Sequence, residues 1–114
     1  MIFFTSRFIP ERFAGVTRGP VICIRPEYKA DSGLLAHEET HVKQWLRTCG
    51  MHSIIYLCSK RYRLAAEVEA YQAQAKCYSD DRMPKFALFL ASNYSLDITA
   101  EYALMRLRCD RGGV

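Results

Sequence analysis

The sequence predicts a small α+β domain dominated by helix, with the strands first and the helices after. Three observations predict it. Short β-branched and aromatic runs broken by Gly and Pro occupy the first quarter of the chain, as in "MIFFTSRF" and "GVTRGPVICIRP". From Asp31 onward, capping residues precede longer stretches with helical periodicity, punctuated by Gly50 and Pro84. The 114 residues, 50% hydrophobic and 25% charged, suit a single globular domain spanning residues 1–114, with room for only a modest core.

In chain order, residues 1–14 are expected to hold a short strand and an irregular approach. "GVTRGPVICIRP" predicts two short strands around a turn at Arg18-Gly19-Pro20. Pro20 and Pro26 bracket "VICI", and because proline has no amide hydrogen this predicts an edge strand or a brief pairing. "EYKADSG" is a loop whose Asp31 or Ser32 caps a helix from Gly33 to Thr48, with Gly50 expected in the C′ position. A short helix follows over Met51 to Cys58. "RLAAEVEAYQAQAKCYS" is rich in Ala, Glu and Gln, which are strong helix formers. "DDRMP" breaks it, and Pro84 at a first helical position opens "KFALFLASNY". Asp97 or Thr99 caps the last helix, "AEYALMRLR", and the tail "CDRGGV" is expected to fray.

Composition excludes several classes. A formal charge of +4 with scattered Lys and Arg is not the dense stripe of a dedicated nucleic-acid binder, and the one short cluster, Lys60-Arg61-Tyr62-Arg63, reads as a solvated helical face or turn. The cysteines, Cys23, Cys49, Cys58, Cys77 and Cys109, are odd in number and have no C-x-x-C spacing, which argues against a disulfide framework or a thiolate metal site. Reduced, mostly buried thiols in a cytoplasmic protein are expected instead. Arg7 and Pro10 interrupt the apolar "MIFF" before a signal sequence can form. "SIIYLC" and "FALFLA" are too short to span a bilayer, so no membrane partner is expected.

The chemistry concentrates in "LLAHEETHVKQWL", residues 34–46. His37 and His41 are four apart, which on a helix puts both imidazoles on one face, one turn apart. Two nitrogens so placed reach a single Zn²⁺ at about 2.0–2.1 Å. Glu38, beside the first, can lean over the ion and accept a proton from a water that the zinc activates. This is the H-E-x-x-H pattern of zinc metallopeptidases. Leu34, His37, His41, Gln44 and Trp45 share one inward sector, with Trp45 expected in the core, and buried imidazoles require partners. The third ligand is expected on the next long helix, where Leu64, Val68, Tyr71, Ala75 and Tyr78 form the apolar stripe. Glu67 lies roughly 60° from its centre and Glu69 roughly 140° round, so Glu67 is favoured and Glu69 reads as solvent-exposed. His52, just past Gly50, is the remaining histidine and too near in sequence for unstrained ligation.

His37-Glu38-x-x-His41 followed by a glutamate helix resembles the gluzincins, zincins with glutamate as third ligand, and "HEETHVKQW" resembles the H-E-x-x-H-x-x-Q form of compact minigluzincins found also in phages and prophages. The likeness covers roughly Val16 to Ala75. It implies a small zincin-like domain, with short N-terminal strands packed on the active-site helix, a glutamate helix and two C-terminal helices. In prenyl-protease-type relatives the ligand glutamate opens an E-x-x-A-D string, and "EVEAY" aligns Glu67 with that ligand. Tyr71 stands where those relatives have the aspartate that supports a ligand histidine, so either Tyr71 takes over that support by hydrogen bonding or the site is weaker. The resemblance also implies that "GPVICIRP" binds an extended peptide by strand addition. It further implies a transition-state stabiliser, for which Tyr78, Tyr94, Tyr102 and His52 are the candidates. Gln44 is placed to hold backbone, a strand or a water.

The expected function is therefore a zinc-dependent metalloendopeptidase, with His37, His41 and Glu67 as ligands and Glu38 as general base. A zinc-containing protein without turnover that works through a protein partner, and a small basic nucleic-acid binder, are the two rivals. Oligomeric state and substrate identity are not legible.

Overall fold

The computed structural model describes residues 1–109. Three short strands, β1 (Ile2–Phe4), β2 (Gly15–Arg18) and β3 (Val21–Ile24), form one sheet in the order β1-β3-β2. Five helices follow: α1 (Ser32–Arg47), α2 (His52–Cys58), α3 (Lys60–Ala75), α4 (Met83–Asn93) and α5 (Ala100–Cys109). The architecture is α+β, strands before helices. Residues 110–114, most of the tail expected to fray, lie outside the described residues.

β3 is the central strand, not an edge. It pairs in parallel with β1 and antiparallel with β2. The prolines that suggested an edge flank the strand, so every residue from Val21 to Ile24 keeps its amide hydrogen for the ladder. Gly19, with a φ of 61°, makes the β2–β3 turn that an L side chain would strain. Ile22 and Ile24 pack with Leu34 of α1 in one buried cluster, so the sheet's inner face fixes α1.

α1 begins where Asp31 accepts the Leu34 amide at 3.0 Å. The same carboxylate oxygen accepts the Tyr78 hydroxyl at 2.5 Å, tying the helix start to the region after α3. Gly33 is needed there, because a Cβ would lie 2.4 Å from the Tyr78 ring. The end of α1 differs from expectation by one residue. The Gly50 amide bonds the Trp45 carbonyl and the Cys49 amide the Leu46 carbonyl, so Cys49, at φ 53°, holds the left-handed C′ position and Gly50 follows it. Trp45 is half-buried against Gly19 and Gly50, not in the core.

α3 starts three residues before the "RLAAEVEAYQAQAKCYS" stretch, because Ser59 accepts the Tyr62 amide and caps it. The Lys60–Arg63 cluster is thus the first turn of α3. Pro84 is the second residue of α4. Thr99 caps α5 by accepting the Tyr102 amide, while Asp97 is left-handed at φ 57°. Leu64, Val68 and Tyr71 of α3 join Phe86, Leu90, Ala103 and Leu107 in the larger core. Among the described cysteines only Cys23 is buried, whereas Cys49, Cys58 and Cys77 are exposed free thiols, contrary to the expected burial. No helix among the described residues is long and apolar enough to cross a membrane.

Candidate metal centre

α1 and α3 lie against each other with Ala66 and Ala70 buried on either side of Glu67. These small side chains let the helices approach, and the approach carries Glu67 under both histidines. His37 Nε2 and His41 Nε2 each lie 3.3 Å from Glu67 Oε1. All three side chains are essentially enclosed, at 4%, 8% and 3% residue exposure. Among the described residues this trio is the group of acid, thiol and imidazole side chains whose ligand atoms fall together, within 4.8 Å of one another. Ligand atoms held about 2.0–2.1 Å from a tetrahedral ion sit about 3.3 Å apart, so the two nitrogen–oxygen separations fit a zinc-sized cation.

The protons sharpen this fit. Gln44 donates its amide nitrogen to the Ala66 carbonyl at 3.0 Å and to Glu69 Oε1 at 2.9 Å. Neither partner can donate, so the Gln44 amide has one orientation and its Oε1 faces His41 Nδ1 at 2.8 Å. Nδ1 must then carry a hydrogen. In a neutral ring Nε2 is consequently a lone pair aimed at a carboxylate oxygen, which is repulsive unless a proton or a cation lies between them. Without metal, a proton takes that place. Burial pulls the His41 pKa down, but the Glu67 carboxylate more than reverses this, raising it to about 9. For Glu67, burial alone raises the pKa, and the two imidazoles overturn that and hold the carboxyl well below the usual range. Glu67 Oε1 has no hydrogen-bond partner meeting normal geometry among the described residues. An orphaned buried acceptor facing two imidazole nitrogens is a donor set suited to a divalent ion.

Tyr56 of α2 donates to Glu67 Oε2 at 2.5 Å, so one carboxylate oxygen is satisfied and the other faces the imidazoles. Burial and the Glu67 charge both push the Tyr56 phenol up, which keeps it a donor. Glu38 is not in the trio. It is buried, and its Oε1 accepts the Thr17 hydroxyl of β2 at 2.7 Å. Glu38, His41 and Glu67 line a cavity of about 310 Å³ walled by Gly15, Val16, Thr17, His52, Tyr56 and Leu57. A second, larger cavity of about 560 Å³ shares Phe13, Gly15, Glu38 and Tyr94 with it.

Several expected roles change. Glu69 is not free in solvent: it is half-buried, accepting from Gln44 and from Arg47 at 2.8–2.9 Å. Tyr71 does not replace the missing aspartate. Its ring edge meets His37, with centroids 4.4 Å apart, while its hydroxyl pairs with Tyr94 at 2.7 Å. His37 Nδ1 has no hydrogen-bond partner among the described residues. Gln44 reaches α3 rather than a strand. Of the stabiliser candidates, His52 and Tyr94 line the smaller cavity, Tyr78 is spent on Asp31, and Tyr102 lies exposed on α5. His52 stays out of the ligand group, its Nδ1 bonded to the Tyr62 hydroxyl at 2.7 Å, and burial and the charge on His41 lower its pKa. Thr17, Tyr56 and Arg47 were not legible, since each acts across elements distant in sequence. No protein-family model, curated protein or solved structure matches this chain.

Proposed function

We propose that the chain is a minimal zinc-dependent metalloendopeptidase of zincin-like build, in which His37, His41 and Glu67 hold the ion and Glu38 is the general base. The observation that carries the reading is the pair of imidazole nitrogens set 3.3 Å from one orphaned oxygen of Glu67, with Glu38 on the wall of the adjoining cavity.

Bound zinc supplies Lewis acidity toward a scissile carbonyl and makes a water acidic enough to attack near pH 7. The protein's own groups do the rest. Thr17 holds one oxygen of Glu38 and leaves the other to take the proton of the attacking water. Glu38 then passes that proton to the leaving amine, as a base that becomes an acid. His52, beside His41 in the cavity wall, is the nearest imidazole that can donate to the developing oxyanion.

An extended peptide fits the sheet edge. β3 cannot accept it, since both its edges are paired, but no strand pairs with the outer edge of β2 among the described residues. The Arg25 amide bonds the Ala14 carbonyl, so in the alternating antiparallel ladder Val16 also faces β3 while Gly15 and Thr17 turn their backbone groups outward. Those two residues border the cavity that holds Glu38, which supports strand addition there.

The rival, a zinc clip without turnover that acts through a partner, is favoured by one feature: His37 lacks an orienting bond. Metal analysis and peptide cleavage separate the two. Protein purified without added metal is expected to carry stoichiometric zinc, lost in His37→Ala, His41→Ala and Glu67→Ala but kept in Glu38→Gln. Wild type is expected to cleave a mixed peptide library, with Glu38→Gln slower by about 10²–10⁴-fold. Zinc without cleavage selects the clip, and protein without zinc removes both readings.

A further inference from the structure

Among the described residues a chain of hydrogen bonds runs from the surface to His41 and not to His37. Arg47 holds Glu69 through both carboxylate oxygens, at 2.9 and 2.8 Å. Glu69 Oε1 accepts one amide hydrogen of Gln44 at 2.9 Å, the Ala66 carbonyl accepts the other, and Gln44 Oε1 accepts from His41 Nδ1 at 2.8 Å. Arg47, Gln44 and His41 are all on α1, while Glu69 and Ala66 are on α3, so the chain crosses between the helices and returns. If the Gln44 amide turned over, its nitrogen would face the imidazole and its oxygen would face a carboxylate and a carbonyl. Glu69 and Ala66 forbid that, because acceptors would then meet acceptors.

We propose that Gln44 is the positioning residue that holds the His41 hydrogen on Nδ1 and so leaves Nε2 as the nitrogen for the ion, and that Glu69, steadied by Arg47, acts on the metal through Gln44. This rests on the metal-centre reading above. It assigns a role to Glu69 that neither ligation nor simple exposure describes. A ligand imidazole whose second nitrogen donates to a fixed acceptor is oriented before the ion arrives and is the stronger base for it. Glu69 touches no ligand itself, so its influence on zinc must disappear when Gln44 cannot transmit it.

The test is a thermodynamic cycle on zinc affinity, measured with zinc alone against a chromophoric chelator. Gln44→Met is expected to weaken zinc by about 10–100-fold, the usual span for such outer partners. Glu69→Ala is expected to weaken it by about 5-fold in the wild-type background and to add nothing in the Gln44→Met background. Arg47→Ala, at an exposed pair, should stay within about 2-fold. An equal loss from Glu69→Ala in both backgrounds would mean that its charge acts through space, and overturns the proposal, as does no loss in the wild type. Should Gln44→Met fail to fold, nitrogen-15 NMR of zinc-loaded wild type and Glu69→Ala reads the same link. The His41 Nδ1 proton is expected in both, exchanging faster with solvent in Glu69→Ala, and an unchanged exchange rate overturns the proposal. A wild type that binds no zinc fails at the earlier step, which the chelator titration shows before any variant is made.

Discussion

His37 and His41 sit one turn apart on α1 and equally far from the same Glu67 oxygen, yet the two sides of the centre are built differently. His41 is tied through Nδ1 to an amide that α3 holds in place. His37 Nδ1 is buried without a hydrogen-bond partner among the described residues, and the rings against its imidazole are those of Tyr71 and His41, with centroids 4.4 and 5.0 Å away. Helical spacing delivers two imidazoles to one point but does not set their protons. That depends on which residues the neighbouring helix presents, and here the support is concentrated on one of the two imidazoles. An unpartnered buried nitrogen costs about 1–3 kcal/mol, so the His37 side is the weaker half of the site.

The largest effect is expected from removing what the two halves share. Glu67→Ala leaves two buried imidazoles and the Tyr56 hydroxyl without their common acceptor. Breaking a buried charge pair in this way costs about 3–5 kcal/mol, so metal-free Glu67→Ala should be less stable than metal-free wild type by about that much in urea unfolding. A loss below about 1 kcal/mol would mean that neither imidazole depends on the carboxylate, and the comparison between them would lose its basis.

The halves should next separate by pH. In the metal-free protein the His41 pKa is raised to about 9 from an ordinary 6.5. Its contribution to stability is fully present below about pH 6.5 and is lost as pH rises through about 9. The Glu67 carboxyl is held below its ordinary value, so its contribution is present above about pH 4.5 and is lost on acidification. Chelator-treated protein is therefore expected to be most stable between about pH 4.5 and 6.5, falling above that. With saturating zinc that alkaline fall is expected to disappear, because the ion replaces the His41 Nε2 proton and neither the folded nor the unfolded chain then titrates there above about pH 6.5. Urea unfolding at a series of pH values, with and without zinc, shows both limbs. His41→Leu should abolish the metal-free alkaline fall and His37→Leu should largely keep it. A fall that survives His41→Leu unchanged would move the titration to another group.

How much of this was open to sequence reading follows from what acts along the chain and what acts across it. The i, i+4 histidines, the Asp31 cap and the near-stripe position of Glu67 are local to single helices, and the structure keeps them. Gln44 and Glu69 needed the contact of α1 with α3. Helical periodicity measures distance from an apolar stripe, and it scored Glu69 as outward without seeing that a glutamine from another helix would meet it there. Thr17 and Tyr56 reach the site from elements 21 and 11 residues away from their partners, with no motif to mark them. The central place of β3 depends on β1 arriving in parallel from the chain start, a long-range pairing that the flanking prolines say nothing about. The exposed cysteines went astray for a different reason: cysteine is buried on average, and three here sit on outward turns of helices or just past one.

The smallest effect sharpens the comparison most. Tyr71→Phe removes the hydroxyl bonded to Tyr94 and keeps the ring against His37 and stacked on Phe86 at 4.8 Å. One hydrogen bond is worth about 1 kcal/mol, and the orphaned Tyr94 hydroxyl adds to the loss, so stability should fall by about 1–2 kcal/mol. Zinc affinity should stay within about 2-fold, since an outer partner of a ligand would have cost about 10-fold or more. An affinity loss of that larger size would show the hydroxyl serving His37 in the loaded protein, and the two halves of the centre would then be alike. An unchanged affinity leaves Tyr71 as a packing wall, which closes the His37 side with a ring where His41 has a hydrogen bond.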